Sequence, residues 1–174
     1  MEKDLAEKLE IRKKLLDIIR NKPGIHFREI LREAKIAMGE LEYHLHVLEK
    51  MEIVSKITNT YYTRYYPAYE LGVDDKKIMS LLRQKMLRDI LLFIIQEEKP
   101  NHGEIKQEFR LVKSTASFYL DKLLKNGIIE KEKSGRQVFF RVKDPQRILR
   151  LILIYKKGFG EEIVKRVEGL WGNL

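Results

Sequence analysis

The chain has 174 residues, no cysteine and a formal net charge of +9. This length allows one or two small domains, and the lack of cysteine excludes disulfides, thiolate metal sites and cysteine nucleophiles. Residues 1–10 alternate charges, so no signal peptide is predicted, and the longest apolar runs, such as 90–95, are too short to span a membrane. We therefore expect a cytoplasmic protein.

The first part of the chain predicts three helices followed by two strands. Apolar residues at helical spacing predict helices over 5–20, 27–33 and 38–51. Pro23-Gly24 ends the first helix, and Ile25 could add a short edge strand. The predicted strands cover 53–57 and 61–66, with a hairpin tip at 58–60.

The second part repeats this order and then adds helices. One long helix is predicted over 74–97, because acidic residues begin it and Pro100 follows it. Further helices are predicted over 102–109, 113–126, 145–156 and 161–171, and wing strands over 128–133 and 137–142. The last two helices carry more apolar residues than a peripheral helix needs. They either pack back on the chain or pair with a second copy, and we expect a homodimer through them.

A single pattern occurs twice at a fixed offset of 75 residues, without a gap. Leu16, Ile19, Glu29, Ile30, Glu33, Leu45, Leu48, Lys50, Ile53 and Lys56 recur as Leu91, Ile94, Glu104, Ile105, Glu108, Leu120, Leu123, Lys125, Ile128 and Lys131. Most apolar members fall at helical spacing, so the repeated object is a small folded unit. Three helices followed by a basic strand pair is the layout of a winged helix-turn-helix.

The predicted fold is therefore mainly α with small β wings (α+β), with two tandem winged helix-turn-helix domains joined by a long helix. The expected domains are residues 1–72, residues 73–144 including the linker helix, and a C-terminal helical extension over 145–174. Positive charge is uneven between them. Lys and Arg against Asp and Glu number 13 to 12 over 1–73, 16 to 11 over 74–144, and 6 to 3 over 145–174. A basic surface favours polyanions through counterion release, although a solvated face is the alternative for any single lysine run.

In a helix-turn-helix the second helix lies in the major groove, and its early residues meet base edges. Removing the buried stripe of each third helix leaves an outward face. The predicted DNA-binding residues on these faces are Lys113, Ser114, Ser117 and Lys122 in the second copy, and Tyr43 and His46 in the first. Lysine and serine suit phosphate or base acceptors, whereas Glu42 is repelled by phosphate. The third helix of the second copy is therefore better suited to bind a polyanion than the third helix of the first copy.

The strand pairs carry further candidates for DNA contact. In the second copy these are Lys131, Lys133 and Arg136, and in the first they are Lys56 and Arg64. A basic hairpin tip suits phosphate or a narrow minor groove, so Arg136 is the strongest single candidate. Adjacent tyrosines at 61–62 and 65–66 should send one ring of each pair to the core and the other outward.

No metal or catalytic site is predicted. His44 and His46 are two residues apart and so point to different faces of a helix. No nucleophile and base pairing and no glycine-rich phosphate loop stand out. We therefore expect neither a cofactor nor an enzymatic activity.

Residues 21–30 (NKPGIHFREI) and 41–49 (LEYHLHVLE) resemble archaeal winged helix-turn-helix transcriptional regulators. That group carries a similar NPGIHFREI…LxYHLxxLE stretch, often with two modules in tandem. The second stretch also resembles the ArsR and MarR families, where a His-Leu pair lies in the recognition helix as His44-Leu45 does here. The resemblance covers 10–67 well and 83–143 less well, since Phe118-Tyr119-Leu120 replaces Tyr-His-Leu.

This resemblance implies a sequence-specific DNA-binding transcription regulator whose two recognition helices enter successive major grooves of double-stranded DNA. Two departures from the family pattern limit what the resemblance implies. Metal-sensing ArsR members use cysteines that this chain lacks, and Met38, Gly39 and Glu42 replace the Ser, Gln or Thr of many relatives, which weakens base reading by the first module. The alternative is a winged-helix adaptor that binds the basal transcription machinery, because Glu40, Glu42 and Glu49 suit a basic partner.

Overall fold

The computed structural model describes residues 2–58 and 62–172, with side chains from Leu5 onward. Over these residues the chain is mostly helical, with two small antiparallel sheets. It divides into two compact units. The first runs to Ser80 and includes Tyr155–Gly158, and the second comprises Leu81–Ile154 and the chain from Phe159. Within the described residues, every helix is too short or too polar to cross a membrane.

The first unit places helices around a three-stranded sheet. Its elements are α1 (Glu2–Asn21), β1 (Ile25–His26), α2 (Phe27–Ala34), α3 (Met38–Lys50), β2 (Val54–Thr58), β3 (Thr63–Pro67) and most of α4 (Val73–Leu82). The predicted edge strand at Ile25 is confirmed, since β1 pairs with β3. The predicted hairpin tip at 59–60 and Tyr61 lie outside the described residues.

Strand β3 is central in the order β1-β3-β2, so both of its edges are paired. Other elements cover its two faces. Tyr65 belongs to the core that α1, α2 and α3 form. Tyr66 points to the opposite face, where its hydroxyl donates to the Lys76 carbonyl of α4 at 3.3 Å. Since α4 covers that face, both tyrosines are buried. The expectation that alternation would expose one of them is therefore wrong.

The second unit repeats the helices and the hairpin, and the C-terminal helices complete it. Its elements are α5 (Lys85–Glu97), α6 (His102–Glu108), α7 (Lys113–Lys125), β4 (Ile129–Ser134), β5 (Gln137–Val142), α8 (Pro145–Ile154) and α9 (Glu161–Trp171). A short 3-10 helix, Lys156–Gly158, separates α8 from α9 in sequence. Helix α9 packs on α8 and α5, and the Arg166 guanidinium donates to the Gln96 side-chain oxygen at 3.2 Å.

The single long helix predicted over 74–97 is instead two helices, because α4 ends at Leu82 and α5 begins at Lys85. Gln84 has extended backbone angles (φ −93°, ψ 110°). The Arg88 guanidinium donates to the Leu82 carbonyl at 3.1 Å. A side chain thus satisfies a carbonyl that the end of a helix leaves unpaired. Neither Gly nor Pro marks this break, so the sequence pattern runs across it.

The offset of 75 residues is kept in the structure. Helices α3 and α7 begin and end at residues 75 apart. The repeated Glu29 and Glu104 each accept a hydrogen bond from the backbone N–H three residues earlier, at the N-terminus of α2 and α6. That is the reciprocal bond of a capping box. The equivalent positions Glu52 and Gly127 both have positive φ, 56° and 68°.

A substitution at Gly127 tests whether the positive φ of this shared turn restricts which residue can occupy the position. A Cβ at Gly127 would meet no atom within 4 Å, so a substitution adds only backbone strain. We expect Gly127→Ala to lower the free energy of unfolding by about 1 kcal/mol, the cost of left-handed backbone for an L-residue. Glu52→Gly, at the equivalent position, should lack this strain cost. Urea unfolding measures both, and an unchanged midpoint for Gly127→Ala would contradict the argument.

Candidate nucleic-acid interface

Helix α7 presents a continuous outward stripe. Ala116, Leu120 and Leu123 are buried on its inner side. The outward positions fall at the i, i+3, i+4, i+7 spacing of one helix face: Ser114, Ser117, Phe118 and Asp121. Lys113 is exposed at the first position of the helix. Phe118, which removal of the buried stripe also leaves facing outward, is 60% exposed on this face.

The N-terminus of α7 lacks a side-chain cap. Its N-cap residue, Val112, has no side-chain acceptor and is 67% exposed. In the preceding helix, by contrast, Asn101 Oδ1 accepts from the backbone N–H groups of Gly103 and Glu104 at 2.8 and 3.0 Å. The first N–H groups of α7 therefore keep the partial positive charge of a helix N-terminus. Together with Lys113 they form a place that suits an anion.

Ser117 is held by a residue that the sequence did not indicate. Its Oγ lies 3.0 Å from Nε2 of His102, at the start of α6. If the imidazole donates this hydrogen bond, the serine hydroxyl proton remains available for an external acceptor. His102 is therefore a positioning residue for the α7 face. No spacing signal could identify it, because the pair joins two different helices.

The β4–β5 hairpin has two electrostatically different faces. Lys131 pairs in register with Phe140 and Lys133 with Val138, so both lysines share the face of the buried Ile129. These lysines and Arg136 at the turn are exposed, and in the described part of the chain we find no ion pair for them. Because hairpin residues alternate between faces, the remaining charges project from the other side.

On that other face the charges are neutralised. Arg141 Nε donates to Glu130 Oε1 at 3.0 Å, and Lys99 Nζ lies 2.9 Å from Glu132 Oε2. The hydrogen bond and charge of Lys99 hold the pKa of the Glu132 carboxyl below its usual value. The free positive charge of the hairpin is thus confined to the lysine face and the turn.

Three of the predicted DNA-binding cations form hydrogen bonds or ion pairs with other residues of the protein. Lys122 Nζ donates to Gln84 Oε1 at 2.8 Å, and Lys56 Nζ lies 2.8 Å from Glu49 Oε2. Arg64 was expected to project from the first hairpin, but this is wrong. It is only 5% exposed, and its Nη1 donates to the Gly24 carbonyl at 2.6 Å. The face of β3 that carries Arg64 is buried, so its guanidinium serves the fold.

Helix α3 carries the equivalent stripe of the first unit, formed by Gly39, Glu42, Tyr43 and His46. The predicted residues Tyr43 and His46 are exposed there, Tyr43 by 51%. Glu42 is exposed beside them on the same face. With Lys56 paired and Arg64 buried, the first unit presents much less free positive charge at these positions than the second.

His44 is a structural residue. It is 2% exposed, and its Nδ1 accepts a hydrogen bond from Arg12 Nε at 3.4 Å. Burial lowers the pKa of His44, and the positive charge of Arg12 lowers it further. The imidazole is therefore held neutral. Within the described ranges, no group of three or more histidine, aspartate or glutamate side chains is arranged to hold a metal ion.

This lowered pKa predicts a loss of stability in acid. An unfolded histidine takes up a proton near pH 6.5, whereas folded His44 resists it. The unfolded state thus binds more protons, and the free energy of unfolding should fall as the pH drops below about 6.5 towards the folded pKa. His44→Gln should flatten this dependence, whereas His46→Gln, at an exposed site, should leave it in place. Urea unfolding between pH 5 and 8 measures the difference, and identical profiles for wild type and His44→Gln would contradict it.

Comparisons with known proteins agree with a helix-turn-helix. Residues 9–78 match a family described as an N-terminal HTH domain. The chain is 25% identical over 138 residues to a Methanocaldococcus jannaschii protein named as an uncharacterized HTH-type transcriptional regulator. That alignment covers 78% of this chain and 34% of the relative, so the chain spans about a third of the relative's length.

Among solved structures, a chain of the endosomal complex ESCRT-II matches with a TM-score of 0.33 and 16% identity. The match covers 82% of this chain and 66% of that chain. A likeness this distant carries no argument about function. The family match, in contrast, places a helix-turn-helix domain in the first unit.

Proposed function

We propose that this protein is a sequence-specific DNA-binding transcription regulator built from two tandem winged helix-turn-helix domains. The observation that carries the proposal is the uneven charge of the second hairpin. Lys131, Lys133 and Arg136 are exposed without ion pairs among the described residues, while the opposite face pairs its charges internally. Unpaired cations on one face suit the evenly spaced phosphates of a duplex.

Helix α7 would enter the major groove in this arrangement. Its early residues, Lys113 and Ser114, would meet base edges or flanking phosphates, and its open N-terminus would favour a phosphate. Arg136 would reach the backbone or the minor groove from the hairpin turn. The phosphate contacts fix position, whereas contacts from the α7 stripe select sequence. The helix-turn-helix match and the name of the archaeal relative support this function.

The test is selection of bound duplexes from a random double-stranded DNA pool with the full chain. We expect enrichment of a defined sequence, and an affinity for it that falls linearly with the logarithm of salt concentration. A pool without enrichment, together with binding that does not respond to salt, would overturn the proposal. Duplex of scrambled sequence is the matched control for specificity.

A second candidate function concerns the first unit, whose α3 face would bind a basic surface of the transcription machinery. The engagement of Lys56 by Glu49, the burial of Arg64 and the exposure of Glu42 favour it. Recovery of polymerase or a general transcription factor in a pull-down, lost in Glu42→Lys, would support it.

The proposed regulator would also form a homodimer through α8 and α9, where Ile154 and Trp171 remain exposed by 60% and 43%.

A further inference from the structure

One aromatic side chain stands out on each of the outward helix faces. Tyr43 and Phe118 are the sixth residues of α3 and α7 and lie at equivalent positions of the repeat. They are 51% and 60% exposed, so most of each ring faces outward. The same outward position therefore carries an exposed aromatic ring in both units.

Each of these rings contacts the ring of the next residue in the sequence. The rings of Tyr43 and His44 contact edge to face with centroids 5.1 Å apart. Those of Phe118 and Tyr119 do the same at 5.4 Å. An exposed ring that already has a neighbour loses little side-chain freedom when a partner covers it, and so binds at a lower entropic cost.

The surroundings of Phe118 indicate the kind of partner. The ring lies on the stripe of Ser114, Ser117 and Asp121, in the N-terminal half of α7, which begins with Lys113. Lys113 is exposed and has no ion pair among the residues that the structure describes. With 1.5 Å of rise per residue, Phe118 is about 7.5 Å along the helix from Lys113. That is the part of a recognition helix that meets base edges. Lys113 and the open N-terminus of α7 favour a polyanion over an apolar protein surface, whereas Asp121 lies one turn beyond the ring, away from these groups.

A phenyl ring neither donates nor accepts a conventional hydrogen bond, which restricts what it can recognise. The base edges in the major groove offer one apolar group, the 5-methyl group of thymine. We infer that Phe118 is a base-reading residue that contacts a thymine methyl group. This inference rests on the proposed DNA-binding function and adds the base that α7 selects.

Deoxyuridine substitution tests the inference, because it removes only the methyl group. With the selected duplex, each thymine is replaced in turn by deoxyuridine and the dissociation constant is measured by fluorescence anisotropy. At one or two positions wild type should bind about four-fold more weakly, the effect of leaving one methyl group unburied. Phe118→Ala should bind the thymine and deoxyuridine duplexes equally at those positions. Phe118→Leu, which keeps an apolar side chain, should retain part of the difference.

The control variant is Lys125→Ala, an exposed residue at the end of the same helix and outside the proposed contact, which should keep the full four-fold difference between thymine and deoxyuridine. Phe118 is exposed, so its replacement should leave the unfolding midpoint unchanged, and thermal unfolding checks this. If wild type binds the selected duplex but no deoxyuridine position matters, or if Phe118→Ala keeps the difference, the inference fails while the proposed function stands. If no duplex is enriched at all, both fail.

Discussion

Replacing Lys113 and Arg136 together by alanine should weaken binding to the selected duplex by about ten-fold or more and flatten its salt dependence. Both side chains are exposed and lack ion pairs within the part of the chain that the structure describes. Each phosphate contact that disappears lowers the slope of log affinity against log salt by about 0.9, so the slope should change by about two units. Anisotropy titrations at several salt concentrations measure both quantities.

The matched control removes the same charge from elsewhere in the second unit. Lys125→Ala with Lys165→Ala takes away two exposed lysines, at the end of α7 and on α9. Because neither lysine belongs to the proposed contact, we expect a slope close to that of wild type. Equal losses in the two double variants would mean that net charge alone governs binding, and the assigned interface would then be wrong.

Arg64→Met should lower the free energy of unfolding by about 2 kcal/mol. The guanidinium is buried and donates to the Gly24 carbonyl, and a methionine of similar length leaves that carbonyl without its donor. A lost hydrogen bond to a charged group costs about 1.5–3 kcal/mol. Guanidinium chloride unfolding of the full chain measures the change.

Arg136→Ala is the natural comparison, because it removes an arginine from the hairpin of the other unit. Its side chain is exposed, so we expect stability within about 0.5 kcal/mol of wild type, together with weaker duplex binding. Two hairpin arginines should therefore give opposite phenotypes. If Arg64→Met unfolded at the wild-type denaturant concentration, the structural role assigned to Arg64 would be wrong.

The sequence predicted the helices and hairpins well because their periodicity and their stop signals agree. Helix α3 was predicted over 38–51 and runs Met38–Lys50, and the strand over 137–142 is Gln137–Val142. The repeat was informative for the same reason. Positions that bury a side chain in one copy, such as Leu45 and Leu48, do so again in the other as Leu120 and Leu123.

What the sequence could not show depends on contacts between distant residues. Arg64 is buried and donates to the carbonyl of Gly24, 40 residues earlier in the chain, a contact that strand alternation does not reveal. The break between α4 and α5 is capped by Arg88, a residue whose role no local pattern indicates. The ammonium group of Lys122 donates a hydrogen bond to Gln84 and is therefore not available at the outward face. Charge and spacing therefore located the candidate faces, but the pairing of individual cations needed the structure.

The equal bounds of α3 and α7 have an evolutionary consequence. Since the buried stripe is shared and the outward stripes differ, each helix can change what it recognises without disturbing its packing. The outward residues could then be exchanged between the two helices without changing the buried stripe. Placing the residue types of Ser114, Ser117, Phe118 and Asp121 at positions 39, 42, 43 and 46 would give α3 the same outward side chains as α7. A gene segment that has duplicated in this way can acquire a new target in one half while the other half retains the old one.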